Sequence, residues 1–254
     1  MPDPLIPPRV LLFDVNETLL DLEPLQKAVA DVLLDDDAGK LWFTTMLQYS
    51  LVMTVSGQYA SFGDIGAAVL QTLARNRDVV VKAEDARQVL SVIRTLPPHP
   101  DVRPALDRLK TRGIRLATLT NSSQEVVGAQ MRHASLDGYF ERLLSVEQPR
   151  QFKPHRAVYE WAAAEMGVAP GECMLVAAHG WDVACARWAG LRTAFIAREG
   201  QQMFPLAETP EVDTADLLGF AEKLFPAPAK DAATAIAAMA VDSSRRGRDS
   251  SVLG

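Results

Sequence analysis

Short apolar runs alternate along much of this chain with stretches whose apolar positions recur at helical spacing. The first run, Val10-Leu11-Leu12-Phe13, leads into Asp14-Val15-Asn16-Glu17-Thr18-Leu19. Such a run predicts a buried strand, and open parallel sheets bind their ligands beyond the carboxyl ends of the strands. Asp14 is therefore the first residue whose chemistry calls for an explanation. After residue 100 the alternation becomes regular. The pattern predicts a helix over 103–112 stopped by Gly113, then a strand over 114–119 that runs into Thr120-Asn121-Ser122-Ser123. A helix at 124–133, a strand at 143–145, a helix at 154–166 and a strand at 174–177 follow. His179-Gly180-Trp181-Asp182 then opens a helix to residue 189, with a strand at 193–196 and a last helix near 215–225. This order predicts an α/β fold built on a doubly wound, Rossmann-like parallel sheet.

Residues 20–96 follow a different pattern. They read as helical, with Val79-Val80-Val81 the first strand-like run among them, and Pro97-Pro98-His99-Pro100 closes them off. The expected organisation is an α/β core of residues 1–19 and 97–225 with a helical cap, 20–96, inserted after the first strand. The tail, 226–254, is alanine-rich and then polar, with the basic cluster Arg245-Arg246-Gly247-Arg248, and is expected to be flexible and solvated.

With 254 residues and 48% hydrophobic content the chain can bury a substantial core. Its net charge of −6 argues against nucleic acid and anionic membranes as partners, since both need basic surface. A small molecule is the expected ligand. The proline-rich N-terminus carries no long apolar stretch and reads as neither signal peptide nor membrane span. Two cysteines, Cys173 in an apolar run and Cys185 in a predicted helix, suit reduced, buried thiols and a cytoplasmic location.

Four clusters fall at predicted strand ends: Asp14 with Thr18, Thr120 with Asn121, Lys153 with Tyr159, and Asp182. In the motifs Asp14-Val-Asn-Glu-Thr18-Leu-Leu-Asp, Leu119-Thr120-Asn121-Ser122-Ser123, Phe152-Lys153-Pro154-His-Arg-Ala-Val-Tyr159-Glu and Trp181-Asp182-Val-Ala-Cys-Ala-Arg187-Trp-Ala-Gly190, the chain resembles the haloacid dehalogenase superfamily. Within it, the chain is most similar to the type II 2-haloacid dehalogenases, over residues 9 to about 225. The resemblance implies hydrolysis of a short 2-haloalkanoic acid by water to a 2-hydroxy acid, with preference for the S enantiomer. It implies no cofactor, and a homodimer is common among the relatives.

The resemblance gives each residue a role. Asp14 would displace halide from carbon and form an ester that water then hydrolyses, which splits one difficult substitution into two easier steps. Lys153 would keep that carboxylate ionised and aimed. Thr18 and Thr120 offer hydroxyl donors, and Asn121 an amide where the family holds substrate or halide. Tyr159 would support the site from its helix, and Asp182 would orient Lys153 and assist the hydrolytic water.

Several positions depart from the family pattern. Asn16, a candidate substrate-binding amide like Asn121, stands where these enzymes often have tyrosine, Glu17 replaces glycine, and Ala177 and Ala178 replace a serine pair. The family arginine that follows a Leu-Trp pair in the first cap helix is Phe43 here, after Leu41-Trp42. His179, at the site of a family asparagine, and the indole N–H of Trp181 are the candidates to meet halide in its place. Glu17 is expected to be solvated or capping, while Trp42, Phe43, Leu47, Tyr49 and Phe62 could wall a small apolar pocket. Two alternatives stay open. A magnesium-dependent phosphatase of the same superfamily would need acids at Asn16 and Ala178, which are missing, so no metal site is expected. A catalytically silent small-anion binder would not explain Asp14, Lys153 and Asp182 together.

Overall fold

The computed structural model describes residues 5–226. The predicted alanine-rich and basic tail, from residue 227 onward, lies outside the described residues. Strand β1 (Val10–Phe13) is followed by α1 (Glu23–Leu33), α2 (Ala38–Val55), α3 (Phe62–Arg75) and α4 (Ala83–Leu90). Then come α5 (Val102–Thr111), β2 (Arg115–Thr120), α6 (Gln124–His133), β3 (Arg142–Ser145), α7 (Arg156–Glu165), β4 (Cys173–Ala177), α8 (Gly180–Trp188), β5 (Arg192–Ile196), β6 (Val212–Thr214) and α9 (Leu217–Leu224). The six strands form one sheet in the order β3-β2-β1-β4-β5-β6, with every pairing parallel. The α/β doubly wound architecture expected from the alternation is thus the observed one.

This order matters because the chain turns back at β1. From there it builds β2 and β3 on one side and β4 to β6 on the other, so the crevice for a ligand opens where β1 ends. All four β1 residues are wholly buried, which explains why the run is apolar throughout rather than alternating. Phe13 is in register with Thr118 on β2 and Val176 on β4, so Asp14 emerges between two strand ends. Its own N–H donates to the Val176 carbonyl at 3.1 Å, which prolongs the ladder one residue past the strand.

Helices α1 to α4 pack on one another through Leu25, Val29, Trp42, Met46, Phe62 and Ile65. Their link to the sheet is narrow and doubly tied: the Asp21 N–H donates to the Pro97 carbonyl at 2.9 Å, and the His99 N–H to the Leu19 carbonyl at 3.0 Å. The outgoing and returning chains therefore bond to each other where the helical segment leaves the core. Within that segment the Trp42 indole N–H donates to the Gly66 carbonyl at 2.9 Å. Gly66 lets the helices pack closely here, since a Cβ would lie 2.9 Å from Met46 Sδ and 3.1 Å from the Trp42 ring and would make those side chains shift.

Two local expectations differ from the structure. Val79-Val80-Val81 is not a strand: Val80 is exposed, and the Val81 carbonyl accepts from Gln71 Nε2 at 3.1 Å. A valine run has no ladder to join when only helices surround it. Conversely β6 carries an exposed Asp213 at its centre and gives no apolar run, yet its backbone pairs with β5 at the sheet edge. Both cysteines are unpaired as expected, Cys173 buried but Cys185 partly exposed.

Candidate active site

The carboxylate of Asp14 is almost wholly buried and receives three donors. Lys153 Nζ lies 2.8 Å from Oδ1, while Oδ2 accepts from the Thr18 hydroxyl at 2.8 Å and faces His179 Nδ1 at 3.0 Å. Burial alone would raise its pKa. The Lys153 charge and His179 overcome this and hold the acid well below the ordinary carboxylate range. Thr18 is fixed in turn, because its hydroxyl oxygen accepts from the Ala178 N–H at 2.9 Å and its carbonyl accepts from Arg198 Nη2 at 2.9 Å.

Lys153 is buried despite its charge. Its ammonium bridges Asp14 and Asp182, the latter through Oδ2 at 2.7 Å. Burial would push its pKa down, and the two carboxylates more than offset that and hold it above the usual lysine range. The other Asp182 oxygen accepts from the Tyr159 hydroxyl at 2.5 Å. Burial raises the pKa of Asp182, with Lys153 opposing and Asp14 adding to the rise. Tyr159 and Asp182 are both fully enclosed, so they lie beneath the site and reach it through Lys153. Asn121 also turns inward: its Oδ1 accepts from the Lys153 N–H at 3.0 Å, and its Nδ2 lies 3.5 Å from the Lys153 carbonyl. Its amide holds the Lys153 turn.

Helix α8 begins at Gly180, where the chain must pass close to a neighbouring loop. A Cβ there would sit 2.3 Å from the Gln202 carbonyl oxygen. That close packing sets His179 at the helix entrance and Asp182 in its first turn. His179 is held by both ring nitrogens: opposite Asp14, its Nε2 meets Glu17 Oε2 at 2.5 Å. Burial would lower its pKa, but the hydrogen bonds and charges of Asp14 and Glu17 raise it to about 10, so the ring is an imidazolium at neutral pH. Phe43 stacks on the ring at a centroid distance of 6.0 Å, and Trp181 lies 5.4 Å from it.

Glu17 is thus neither solvated nor capping. Its carboxylate also accepts from Gln26 Nε2 and Gln201 Nε2, each at 3.3 Å. A signal for it was present in the chain, since two departures from the family pattern, Glu17 and His179, prove to touch.

Asn16 is committed as well: its Nδ2 donates to Ser122 Oγ at 3.3 Å and its Oδ1 accepts from Gln130 Nε2 at 2.9 Å. Thr120 Oγ1 accepts from the Ser122 N–H at 3.2 Å. Ser122, quoted in its motif but given no role there, borders a cavity of about 50 Å³ together with Ser123, Leu25, Trp42, Met46 and Phe62. Core and inserted helices therefore meet across a small, largely apolar space. Trp42 and Phe62 line this space, which Asp14, Lys153 and His179 do not border, whereas Tyr49 is almost half exposed.

The donors around Asp14 do not suit magnesium, which asks for several oxygen ligands in near-octahedral array. Asn16 Oδ1 is taken by Gln130, position 178 is alanine, both Asp182 oxygens are engaged, and two cations flank Asp14. Among the described residues no group of three His, Cys, Asp or Glu side chains is arranged to hold a metal ion.

The family model for haloacid dehalogenase-like hydrolases matches residues 8–190, which takes in every cluster above. The chain belongs to the haloacid dehalogenase-like hydrolases. Among curated members of this hydrolase family, it is 30% identical to haloacetate dehalogenase H-2 of Moraxella sp. (strain B), over 80% of this chain and 92% of the relative. It is 28% identical to (S)-2-haloacid dehalogenase H-109 of Pseudomonas putida, over 82% and 93% respectively. The fold matches that of the L-2-haloacid dehalogenase from Xanthobacter autotrophicus solved with chloropropionic acid covalently bound, with a TM-score of 0.81 at 21% identity, covering 88% of this hydrolase and all of that chain. No helix among the described residues is long and apolar enough to cross a membrane.

Proposed function

We propose that this hydrolase cleaves the carbon–halogen bond of a short 2-haloalkanoic acid, through an ester on Asp14 and without a metal, to yield the 2-hydroxy acid. The observation that carries this reading is the state of Asp14: ionised, buried, and aimed by Lys153, Thr18 and His179. An ionised carboxylate shielded from bulk water is a competent nucleophile toward carbon, and halide leaves without protonation. In-line attack at C2 inverts configuration, with the S enantiomer as substrate. Residues 20–96 act as the cap over the core of residues 1–19 and 97–225.

His179 supplies the cation that the relatives' arginine at position 43 would otherwise provide, with Trp181 beside it to face the halide. Two unpaired thiols suit a reducing compartment, and the reading includes a cytoplasmic location and a homodimer.

The test is halide release from a panel of 2-haloacids, with and without chelator, in the wild type and Asp14→Asn. Release that persists in chelator and disappears in the variant is the expected result. Magnesium-dependent phosphate release from simple esters, with no halide release, would replace this reading by the phosphatase one.

A further inference from the structure

The ester intermediate has to be hydrolysed, and hydrolysis needs a base close to Asp14. Asp182 is poorly placed for this. Its two oxygens are closed off by Lys153 and Tyr159, and its side chain is wholly buried behind the ammonium. Lys153 is protonated between two carboxylates, and burial, with Asp182 adding to it, raises the Tyr159 phenol far above neutral pH. Glu17 reaches Asp14 only through the His179 ring.

From this geometry we infer that His179 is the general base of the second half-reaction, drawing a proton from the water that attacks the Asp14 ester, with Glu17 orienting its ring. The inference rests on the reading of Asp14 as nucleophile. A carboxylate on one imidazole nitrogen and the reacting group on the other is the arrangement that fixes a tautomer and steadies the charge formed on proton uptake. Phe43 and Trp181 cover the ring, while Asp14 and Glu17 are the charged groups that face its nitrogens. Glu17 holds its place with φ of +63°, a left-handed conformation that is disfavoured for any residue bearing a Cβ. The chain tolerates this strain while placing the carboxylate on Nε2.

The reaction itself switches the base on. In the resting enzyme the imidazolium sits between two carboxylates, which make it too weak an acid to give up its proton. When Asp14 attacks carbon, the C–O bond forms, the carbon–halogen bond breaks, and halide leaves with the electron pair. The charge on Asp14 disappears. His179 then faces a neutral ester on one side and keeps only Glu17 on the other; without the Asp14 charge, burial weighs more heavily against the cation, and the ring releases a proton to solvent. Neutral Nδ1 takes a proton from water as the water oxygen bonds to Asp14 Cγ. The Cγ–O(alkyl) bond breaks, and the second water proton goes to the departing alkoxide, which leaves as the 2-hydroxy acid. Asp14 carboxylate and His179 imidazolium are restored. The sum is one haloacid and one water giving one hydroxy acid, one halide ion and one proton.

Rapid-mix turnover with (S)-2-chloropropionate, followed by halide release and by intact-protein and peptide mass spectrometry, tests the inference in the wild type, His179→Gln, His179→Asn and Glu17→Gln. The expected result is a halide burst near one per site in both His179 variants, with steady turnover about 10²–10⁴-fold slower. The propionyl ester should accumulate on the Asp14 peptide. Glu17→Gln should lie between these and the wild type. In the wild type, ester hydrolysis should rise with pH through a single ionisation that the His179 variants lack. Two results would overturn the inference: His179 variants that hydrolyse the ester at the wild-type rate, or variants that lose the halide burst and never accumulate ester. A folded wild type that releases no halide from any 2-haloacid overturns the underlying reading of Asp14, and the inference with it.

Discussion

The ring of Phe43, on α2, stacks on the imidazole of His179 at the entrance to α8, with planes 28° from parallel. Position 43 thus places an aromatic face over the cation at the entrance to α8. An aromatic ring cannot replace a cation, but its negative face stabilises one placed beneath it.

That relationship gives a first prediction. Phe43→Leu keeps the apolar cover and removes the ring face, forfeiting about 0.5–2 kcal/mol of cation–π stabilisation. The His179 titration midpoint, raised to about 10 in the wild type, should fall by up to about 1.5 pH units, at 1.36 kcal/mol per unit. Imidazole NMR titration measures this directly, and an unchanged midpoint would show that the two carboxylates alone set it.

Lys153 carries the electrostatics of the whole cluster. In Lys153→Met two buried carboxylates, Asp14 and Asp182, lose their common counter-ion. Removing one member of a buried ion pair costs about 3–5 kcal/mol, so the variant should unfold at markedly lower urea concentration and release no halide. Part of the stability should return on acidification, as the stranded carboxylates protonate. A variant as stable as wild type at pH 7 would contradict the assigned charges.

The strand-end residues were legible because their positions follow from the alternation of elements. Asp14 ends an apolar run, and the parallel order then brings Thr120 and the turn into α8 beside it. What the residues do there was less legible. The amides of Asn16 and Asn121 read as groups for a ligand, yet both are consumed by protein partners, Ser122 and Gln130 for one and the Lys153 backbone for the other. A side chain's partners depend on χ angles and on loops far apart in the chain, and a motif carries no record of them. The Glu17–His179 pair joins positions separated by most of the core, and only the fold makes them neighbours.

Tyr159 illustrates the same distinction and yields a third prediction. Tyr159→Phe removes the donor to Asp182 Oδ1 and leaves that oxygen buried without a partner, at a cost of about 1–3 kcal/mol. Since the hydroxyl reaches the chemistry only through Asp182 and Lys153, kcat should fall while KM stays near the wild-type value. A large rise in KM would place Tyr159 against the substrate instead.

The last prediction concerns pH and stability. The imidazolium of His179 is bound by two carboxylates in the folded chain, with its pKa raised from 6.5 to about 10. A group whose folded pKa is raised contributes its full stabilisation below the unfolded value and loses it as pH climbs through the folded one. His179 should therefore stabilise the fold by several kcal/mol at pH 6, by less at pH 8 and by very little above pH 10. Lys153 titrates above 10.5 and leaves this window clear. The measurement is the difference in unfolding free energy between wild type and His179→Gln at pH 6, 8 and 10. That gap should narrow steadily with rising pH, because glutamine carries no proton to lose. A gap that stays constant from pH 6 to 10 would mean that the ring is neutral in the folded protein, and that its two carboxylate neighbours do not hold it as a cation.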